Sequence, residues 1–110
     1  EDFNEKGVND GVFIYWNANG IKIREWYYKN GEKHGPFNVW YQNGKKSKKT
    51  TYIEGKKDGL TCEWYENGNM KMKTTFKNGL KNGIHIEWNK NGEKTIEGKF
   101  SLGVLISKKN

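Results

Sequence analysis

The sequence predicts an all-β fold: an elongated, single-layer antiparallel β-meander built from about four hairpin repeats of 24 residues. Three observations support this prediction. Thirteen of the 14 glycines recur at a spacing of 24 residues, and only Gly98 is out of step. Four of the five tryptophans keep the same spacing. Asn-Gly dipeptides, which are strong hairpin signals between strand-like segments, recur with the same period.

The period divides the chain into units 11–34, 35–58, 59–82 and 83–106. Residues 1–10 form an N-terminal lead-in, and residues 107–110 form a tail. Each unit begins with an apolar-rich strand that ends at a tryptophan, passes through Asn-Gly into a second strand, and closes with a Gly-x-x-x-Gly turn. Such short links permit only antiparallel neighbours. With one two-stranded hairpin in each repeat, we expect eight or nine strands. No segment shows the sustained 3.6-residue periodicity of a helix.

The length of the Asn-Gly loop decides which residues share a face of the sheet. A two-residue loop would place Trp16 opposite Ile23 and turn Tyr28 to the other face. A three-residue loop with Gly20 in a left-handed conformation would place Trp16 opposite Lys22. We favour the three-residue loop because it would put Trp16 and Tyr28 on one face. Two aromatic columns with the 24-residue spacing would then form one core stripe: Trp16, Trp40, Trp64 and Trp88, and Tyr28, Tyr52, Phe76 and Phe100.

The composition limits the kind of core that the chain can build. Only 33% of its residues are hydrophobic, which is low for a globular domain, yet 15% are aromatic, which argues against disorder. Such a chain cannot form a thick two-layer core. We therefore expect an aromatic stripe that stabilises the array through contacts between neighbouring repeats, and a surface suited to binding.

The net charge of +7 favours an acidic partner, which could be a protein, an anionic lipid or nucleic acid. Nucleic acid is the least favoured of these, because Arg24 is the only arginine. Alternatively, the lysines keep an exposed sheet soluble and protect its edges. The candidate basic patch lies in the second unit and comprises Lys45, Lys46, Lys48, Lys49, Lys56 and Lys57.

No catalytic group, cofactor motif or metal site is evident, so we expect a non-enzymatic protein without a cofactor. His34 occupies a turn position that other units fill with Asp58 and Asn82, and His85 occupies a strand position. Cys62 is the only cysteine and excludes an intramolecular disulfide. Its strand position predicts a small buried hydrophobic residue and not a reactive thiol.

Two recurring motifs carry a family resemblance. The segments 40–44 and 64–68 have the pattern Trp-Tyr-x-Asn-Gly, and the segment 52–59 links two units with the sequence Tyr-Ile-Glu-Gly-Lys-Lys-Asp-Gly. Over about residues 7–106 the chain resembles the bacterial variant of the MORN repeat. This resemblance implies an elongated antiparallel sheet that acts as a protein-binding or membrane-proximal scaffold. It also implies a toxin as one class of partner, since YwqK-type members are described as antitoxins.

The favoured register places an aromatic patch opposite the tryptophans in the first two units. Its members are Phe13, Tyr15, Tyr27, Phe37, Val39 and Tyr41. Contiguous exposed aromatic residues are typical of protein interfaces, so we expect this patch to bind a protein partner. Two alternatives remain open: residues 1–10 could cover the patch, or copies of the chain could self-associate through it. The second functional class is a membrane-surface adaptor that uses the lysines.

The sequence does not fix the compartment of the protein. No apolar run approaches the length needed to span a membrane, and no signal sequence is visible. The protein is expected in the cytoplasm or, if an export signal has been removed, in the periplasm or at the cell surface.

Overall fold

The computed structural model describes residues 10–109, which form one open antiparallel sheet of 11 strands. The strands are β1 (Gly11–Trp16), β2 (Lys22–Lys29), β3 (Glu32–Lys33), β4 (Gly35–Trp40), β5 (Lys46–Ile53), β6 (Lys56–Lys57), β7 (Gly59–Trp64), β8 (Met70–Lys77), β9 (Leu80–Trp88), β10 (Lys94–Ser101) and β11 (Val104–Lys109). The last of these, β11, crosses the predicted boundary between residues 106 and 107. The part of the chain from 10 to 109 contains no helix, and therefore none that could cross a membrane.

The sheet is a meander in a single layer. Nine strands follow one another across it in the order β1-β2-β4-β5-β7-β8-β9-β10-β11, and the short strands β3 and β6 pair with β2 and β5. The molecule measures 51 × 36 × 11 Å, and its smallest dimension leaves room for one layer only. The predicted all-β single-layer meander is confirmed. The strand count exceeds the expected eight or nine because of the two-residue strands β3 and β6.

The Asn-Gly loops contain three residues, as expected. In the first repeat, the Asn17 N–H donates to the Ile21 carbonyl at 2.9 Å, and the Gly20 N–H donates to the Asn17 carbonyl at 3.0 Å. Gly20 has a φ of 80°, a conformation that other residues rarely adopt. Trp16 pairs with Lys22 across this loop, in agreement with the favoured register. The same hydrogen bonds recur in the loops that begin at residues 41, 65 and 89.

A β-bulge in every repeat separates the two aromatic columns. The pairing of β1 with β2 skips Ile23, immediately after the pair of Trp16 with Lys22. The equivalent skipped residues are Ser47, Lys71 and Thr95. An extra residue shifts the alternation of side chains by one position, and Tyr28 therefore lies on the face opposite Trp16. The prediction that both aromatic columns form one stripe on one face is wrong.

The two faces of the sheet differ in packing. The tryptophan face carries Trp16, Trp40, Trp64 and Trp88. The opposite face, here called the aromatic face, carries in its first half the rings of Phe13, Trp26, Tyr28, Phe37 and Tyr52. The fully or nearly buried side chains also lie on the aromatic face and are Thr50, Thr61, Thr74 and His85. Trp16 is 54% exposed and the other three tryptophans of this face are half-buried, so the packed side of the sheet is the aromatic face and not the expected tryptophan stripe.

The rings of the aromatic face contact one another across the strands. The ring centroids of Phe13 and Trp26 lie 5.7 Å apart, and those of Phe13 and Tyr28 lie 5.1 Å apart. Phe37 continues the cluster at 6.2 Å from Trp26 and 5.8 Å from Tyr52. Such pairs stabilise a sheet by about 0.5–1.5 kcal/mol each beyond simple burial. The first two repeats are therefore held together chiefly from this face.

Lysine side chains lie over several rings of the aromatic face. The Lys33 ammonium lies 5.0 Å from the centroid of Phe37 and 5.2 Å from that of Tyr52. In the following repeats, Lys57 lies 5.0 Å from the Phe76 ring. Partial burial, together with the charge of Lys48, lowers the pKa of Lys57. The lysine stems thus occupy the place that a second layer would fill in a sandwich, while their charges remain over the rings.

Hydrogen bonds between repeats recur at both ends of the strands. At one end, the Gly55 N–H donates to the Lys33 carbonyl at 2.9 Å, and the Gly79 N–H donates to the Lys57 carbonyl at 2.8 Å. At the other end, the Tyr65 hydroxyl donates to the Trp88 carbonyl at 2.7 Å. The turn positions behave similarly, since His34 Nδ1 accepts from the backbone N–H one turn later, at residue 54, over 3.4 Å. Successive repeats are therefore joined by hydrogen bonds between their polar groups as well as by strand pairing.

Gly98, the glycine outside the 24-residue period, is explained by close contact with β11. A Cβ atom at this position would lie 3.0 Å from the Ser107 carbonyl oxygen and 3.2 Å from Leu105 Cδ1. The three earlier repeats carry Trp26, Thr50 and Thr74 at the equivalent position. We expect Gly98→Thr to lower the free energy of unfolding by about 1–3 kcal/mol, because a backbone carbonyl must move to admit the side chain.

The measurement for Gly98→Thr is urea unfolding followed by circular dichroism. The matched control is Lys99→Thr, which places the same side chain at the exposed neighbouring position and should change stability by less than about 0.5 kcal/mol. Equal stability of the two variants would contradict the proposed contact with β11.

Candidate functional site

The structure divides the predicted aromatic patch between the two faces. Four of its six members lie together on the aromatic face: Phe13, Tyr15, Phe37 and Val39. Tyr27 instead pairs with Val12 and lies on the tryptophan face, which corrects its predicted placement. The reason is the bulge at Ile23, which exchanges the faces of all later residues in β2. Tyr41 follows β4, and its hydroxyl donates to the Trp64 carbonyl.

The bulge also brings residues to this face that the sequence did not assign to it. Trp26 packs between Phe13 and Phe37, and Arg24 pairs with Tyr15. A cleft of about 310 Å³ opens beside them and is lined by Tyr15, Ile23, Arg24 and Trp26. Tyr15 is 64% exposed at its rim. The predicted alternative that residues 1–10 cover this patch falls outside the described part of the chain, except for Asp10.

The six lysines of the predicted basic patch do not form one surface. Lys46 and Lys49 lie on the tryptophan face, whereas Lys48 and Lys57 lie on the aromatic face. The remaining two occupy opposite ends of the strands, with Lys45 after an Asn-Gly loop and Lys56 after a two-residue turn. Alternation along β5 thus separates neighbouring lysines that are contiguous in sequence.

Three of these lysines nevertheless meet in a cleft on the tryptophan face. Lys45, Lys46 and Lys49 line it together with Trp64 and Gly68, and its volume is about 550 Å³. Lys46 Nζ lies 4.4 Å from the centroid of the Trp40 ring and donates to Asn38 Oδ1 at 3.1 Å. Partial burial is the main cause that lowers the pKa of Lys46, and the positive charge of Lys49 adds to it.

The comparison with protein families agrees with this architecture. The family model described as the MORN repeat variant matches residues 9–30, 33–54 and 57–78. The three matches begin 24 residues apart and together cover more than half of the chain. The chain belongs to the MORN repeat variant family. A comparison with curated proteins finds no match. MORN repeats are generally non-enzymatic modules that often take part in binding.

His85 and the polar turn residues Asp58 and Asn82 of this MORN repeat protein make contacts within the sheet. His85 is 5% exposed, and its Nε2 lies 2.8 Å from Glu87 Oε2. Asp58 and Asn82 accept hydrogen bonds from backbone N–H groups of the two-residue turns. Within residues 10–109, no three His, Cys, Asp or Glu side chains come close enough to hold a metal ion.

Cys62 lies half-buried on the tryptophan face of the MORN repeats, between Lys49 and Lys73 in register. Burial raises the pKa of its thiol, and the two lysine charges offset this only in part. Because the thiolate is the reactive form, we expect iodoacetamide to alkylate Cys62 several-fold more slowly than free cysteine at about pH 8. Mass spectrometry of timed samples measures the rate, and the urea-unfolded chain is the control. Alkylation as fast in the folded as in the unfolded chain would contradict this.

Proposed function

We propose that this MORN repeat protein is a non-enzymatic scaffold that binds a protein partner through the aromatic face of its first two repeats. The observation that supports this most is the position of Tyr15. Its ring is 64% exposed beside a packed cluster of rings, and no second layer covers it within residues 10–109. An exposed aromatic surface of this kind is typical of an interface.

The arrangement suits binding because most of the surface is fixed in advance. Phe13, Trp26 and Phe37 are held by ring contacts across the strands, so little side-chain freedom is lost when a partner docks. Tyr15 and Arg24 stand at the edge of this cluster and belong to the residue types that contribute most to binding energy. We therefore propose Tyr15 and Arg24 as the main contact residues.

The surface is confined to one end of the array. At the positions equivalent to Phe13 and Phe37, the later repeats carry Thr61 and His85. At the positions equivalent to Tyr15 and Val39, they carry glutamates at residues 63 and 87. A partner that requires apolar contact would therefore bind the first two repeats and leave the last two free.

A toxin is the class of partner that the YwqK-type resemblance implies, and we propose it as the first to be tested. The anionic-lipid alternative is less favoured, because the six lysines are divided between two faces and both ends of the strands. A flat membrane contacts one face at a time. Nucleic acid is disfavoured for the same reason and because Arg24 is the only arginine.

The test is partner capture by the intact chain, with mass spectrometry to identify the bound protein. A double variant, Tyr15→Ala with Arg24→Ala, should lose the partner while its thermal unfolding midpoint stays close to that of the wild type. The control is Leu60→Ala, which truncates an exposed side chain on the tryptophan face and should retain the partner. Contact through rings should also persist as salt is raised.

Two results would overturn the proposal. One is retention of the partner by the double variant together with its loss from Leu60→Ala. The other is binding to anionic vesicles that disappears at moderate salt, which would indicate a lipid adaptor.

A further inference from the structure

The tryptophan face carries one column of charged positions whose sign changes along the array. The column consists of Glu25, Lys49, Lys73 and Glu97, which are spaced by the 24-residue period. Their register partners on the neighbouring strands place them on this face: Glu25 lies opposite Ile14 and Asn38, and Lys49 lies opposite Asn38 and Cys62. The face is therefore acidic at its two ends in this column and basic in the middle.

In each end repeat, the glutamate of this column forms an ion pair with a lysine on the same face. Lys22 Nζ lies 3.4 Å from Glu25 Oε2, and Lys94 Nζ lies 3.5 Å from Glu97 Oε1. Both are pairs of residues three apart in sequence.

The second repeat has two lysines where the first and fourth have an ion pair. Lys46 and Lys49 occupy the positions of Lys22 and Glu25. Among residues 10–109, neither of them has a carboxylate within ion-pair distance. Partial burial and the neighbouring charge of Lys49 lower the pKa of Lys46, and Glu25 counteracts this by less. A carboxylate supplied from outside would offset the repulsion between these like charges.

The shape of the surface matches such a ligand. The cleft of about 550 Å³ is lined by Lys45, Lys46 and Lys49 together with Trp64. We propose that it binds an acidic protein segment, whose carboxylates pair with the three lysines while an apolar side chain packs on the tryptophan. This site lies on the face opposite the proposed partner surface, so it stands independently of the proposed function.

A protein segment fits this site better than a lipid surface. The three lysines line a cleft together with Trp64 and Gly68. A narrow extended segment can enter this cleft and contact both the lysines and the tryptophan, whereas the plane of a membrane would meet only its rim.

Fluorescence anisotropy with a labelled 12-residue peptide, Glu-Glu-Phe repeated four times, tests this site. Lys49→Glu installs the residue type that the first and fourth repeats carry at this position, so it is expected to fold. It should weaken binding at least about tenfold, because it both removes a contact and adds a like charge. The matched control is Lys48→Glu, which makes the same charge change on the same strand but on the aromatic face. It should weaken binding less than about twofold.

The proposal is overturned if the peptide does not bind, or if both variants weaken it equally, since the latter would indicate attraction by net charge only. It is also overturned if phosphatidylserine vesicles bind and the peptide does not displace them. If circular dichroism shows that a glutamate variant is unfolded, Lys49→Gln and Lys48→Gln provide the same comparison. Tyr15→Ala with Arg24→Ala should leave peptide binding unchanged, so failure here and failure of the proposed function are distinguishable.

Discussion

Replacing Phe37 with alanine is expected to lower the free energy of unfolding by about 3 kcal/mol, close to the lower end for a phenylalanine truncated in a packed environment. Phe37 contacts the rings of Trp26 and Tyr52 and lies under the ammonium group of Lys33. It thereby joins the first repeat to the second. Its loss removes several ring contacts at once. It also leaves a gap, and a single-layer sheet has no second layer whose side chains could fill it.

The comparison for Phe37→Ala is Trp16→Ala, which removes a larger side chain. Trp16 is 54% exposed, and Lys22 Nζ lies 5.8 Å from the centroid of its ring. Its truncation should therefore lower the free energy of unfolding by less than about 1 kcal/mol. Urea unfolding followed by far-ultraviolet circular dichroism measures both variants. If Trp16→Ala were the more destabilising, the tryptophan face would be the packed side and the bulge would have been assigned wrongly.

Deletion of one complete repeat, residues 59–82, is expected to leave a folded and shorter sheet. The deletion joins Asp58 to Gly83, so that β9 takes the place of β7 beside β5. Lys49 would then face Ile86 in place of Cys62, and Tyr41 would meet the Trp88 carbonyl in place of that of Trp64. Because a repeat array is stabilised by each repeat and its interfaces, we expect cooperative unfolding with a lower midpoint.

The control is deletion of residues 59–70, which removes β7 with its loop and joins β6 directly to β8. To stay antiparallel to β5, β8 and the strands after it must then reverse their direction, which turns the buried Thr74 and His85 to the face opposite Thr50. We expect this variant to lose the β-sheet spectrum and to aggregate through unpaired edges. Equal folding of both deletions would show that the 24-residue unit is not the structural repeat.

The fold was predictable because its signals are local and repeated. The left-handed glycines, exemplified by Gly20 with a φ of 80°, mark every Asn-Gly loop, and their spacing sets the hairpin length. The bulge was not predictable, because its extra residue has no characteristic type: it is Ile23, Ser47, Lys71 and Thr95 in successive repeats. One extra residue in each hairpin places the side chains of the second strand on the faces opposite to those predicted.

The candidate surface was predictable to the same extent. Phe13 and Tyr15 precede the bulge, and alternation along one strand places them correctly on one face. Tyr27 follows the bulge and lies on the other face. Arg24 and Trp26 join the surface for the same reason. The lysines show the same effect, since the bulge at Ser47 places Lys46 and Lys48 on opposite faces although they are two residues apart.

The two-strand repeat also fixes a length scale for recognition. Adjacent strands in a sheet lie about 4.8 Å apart, so equivalent side chains of successive repeats recur roughly every 10 Å. An extended polypeptide advances about 3.3 Å per residue, and a ligand that crosses the strands would therefore meet the same position once every three residues. The number of repeats would then determine the length of the segment that is bound, and the residue at each position would determine which side chains of that segment are accepted.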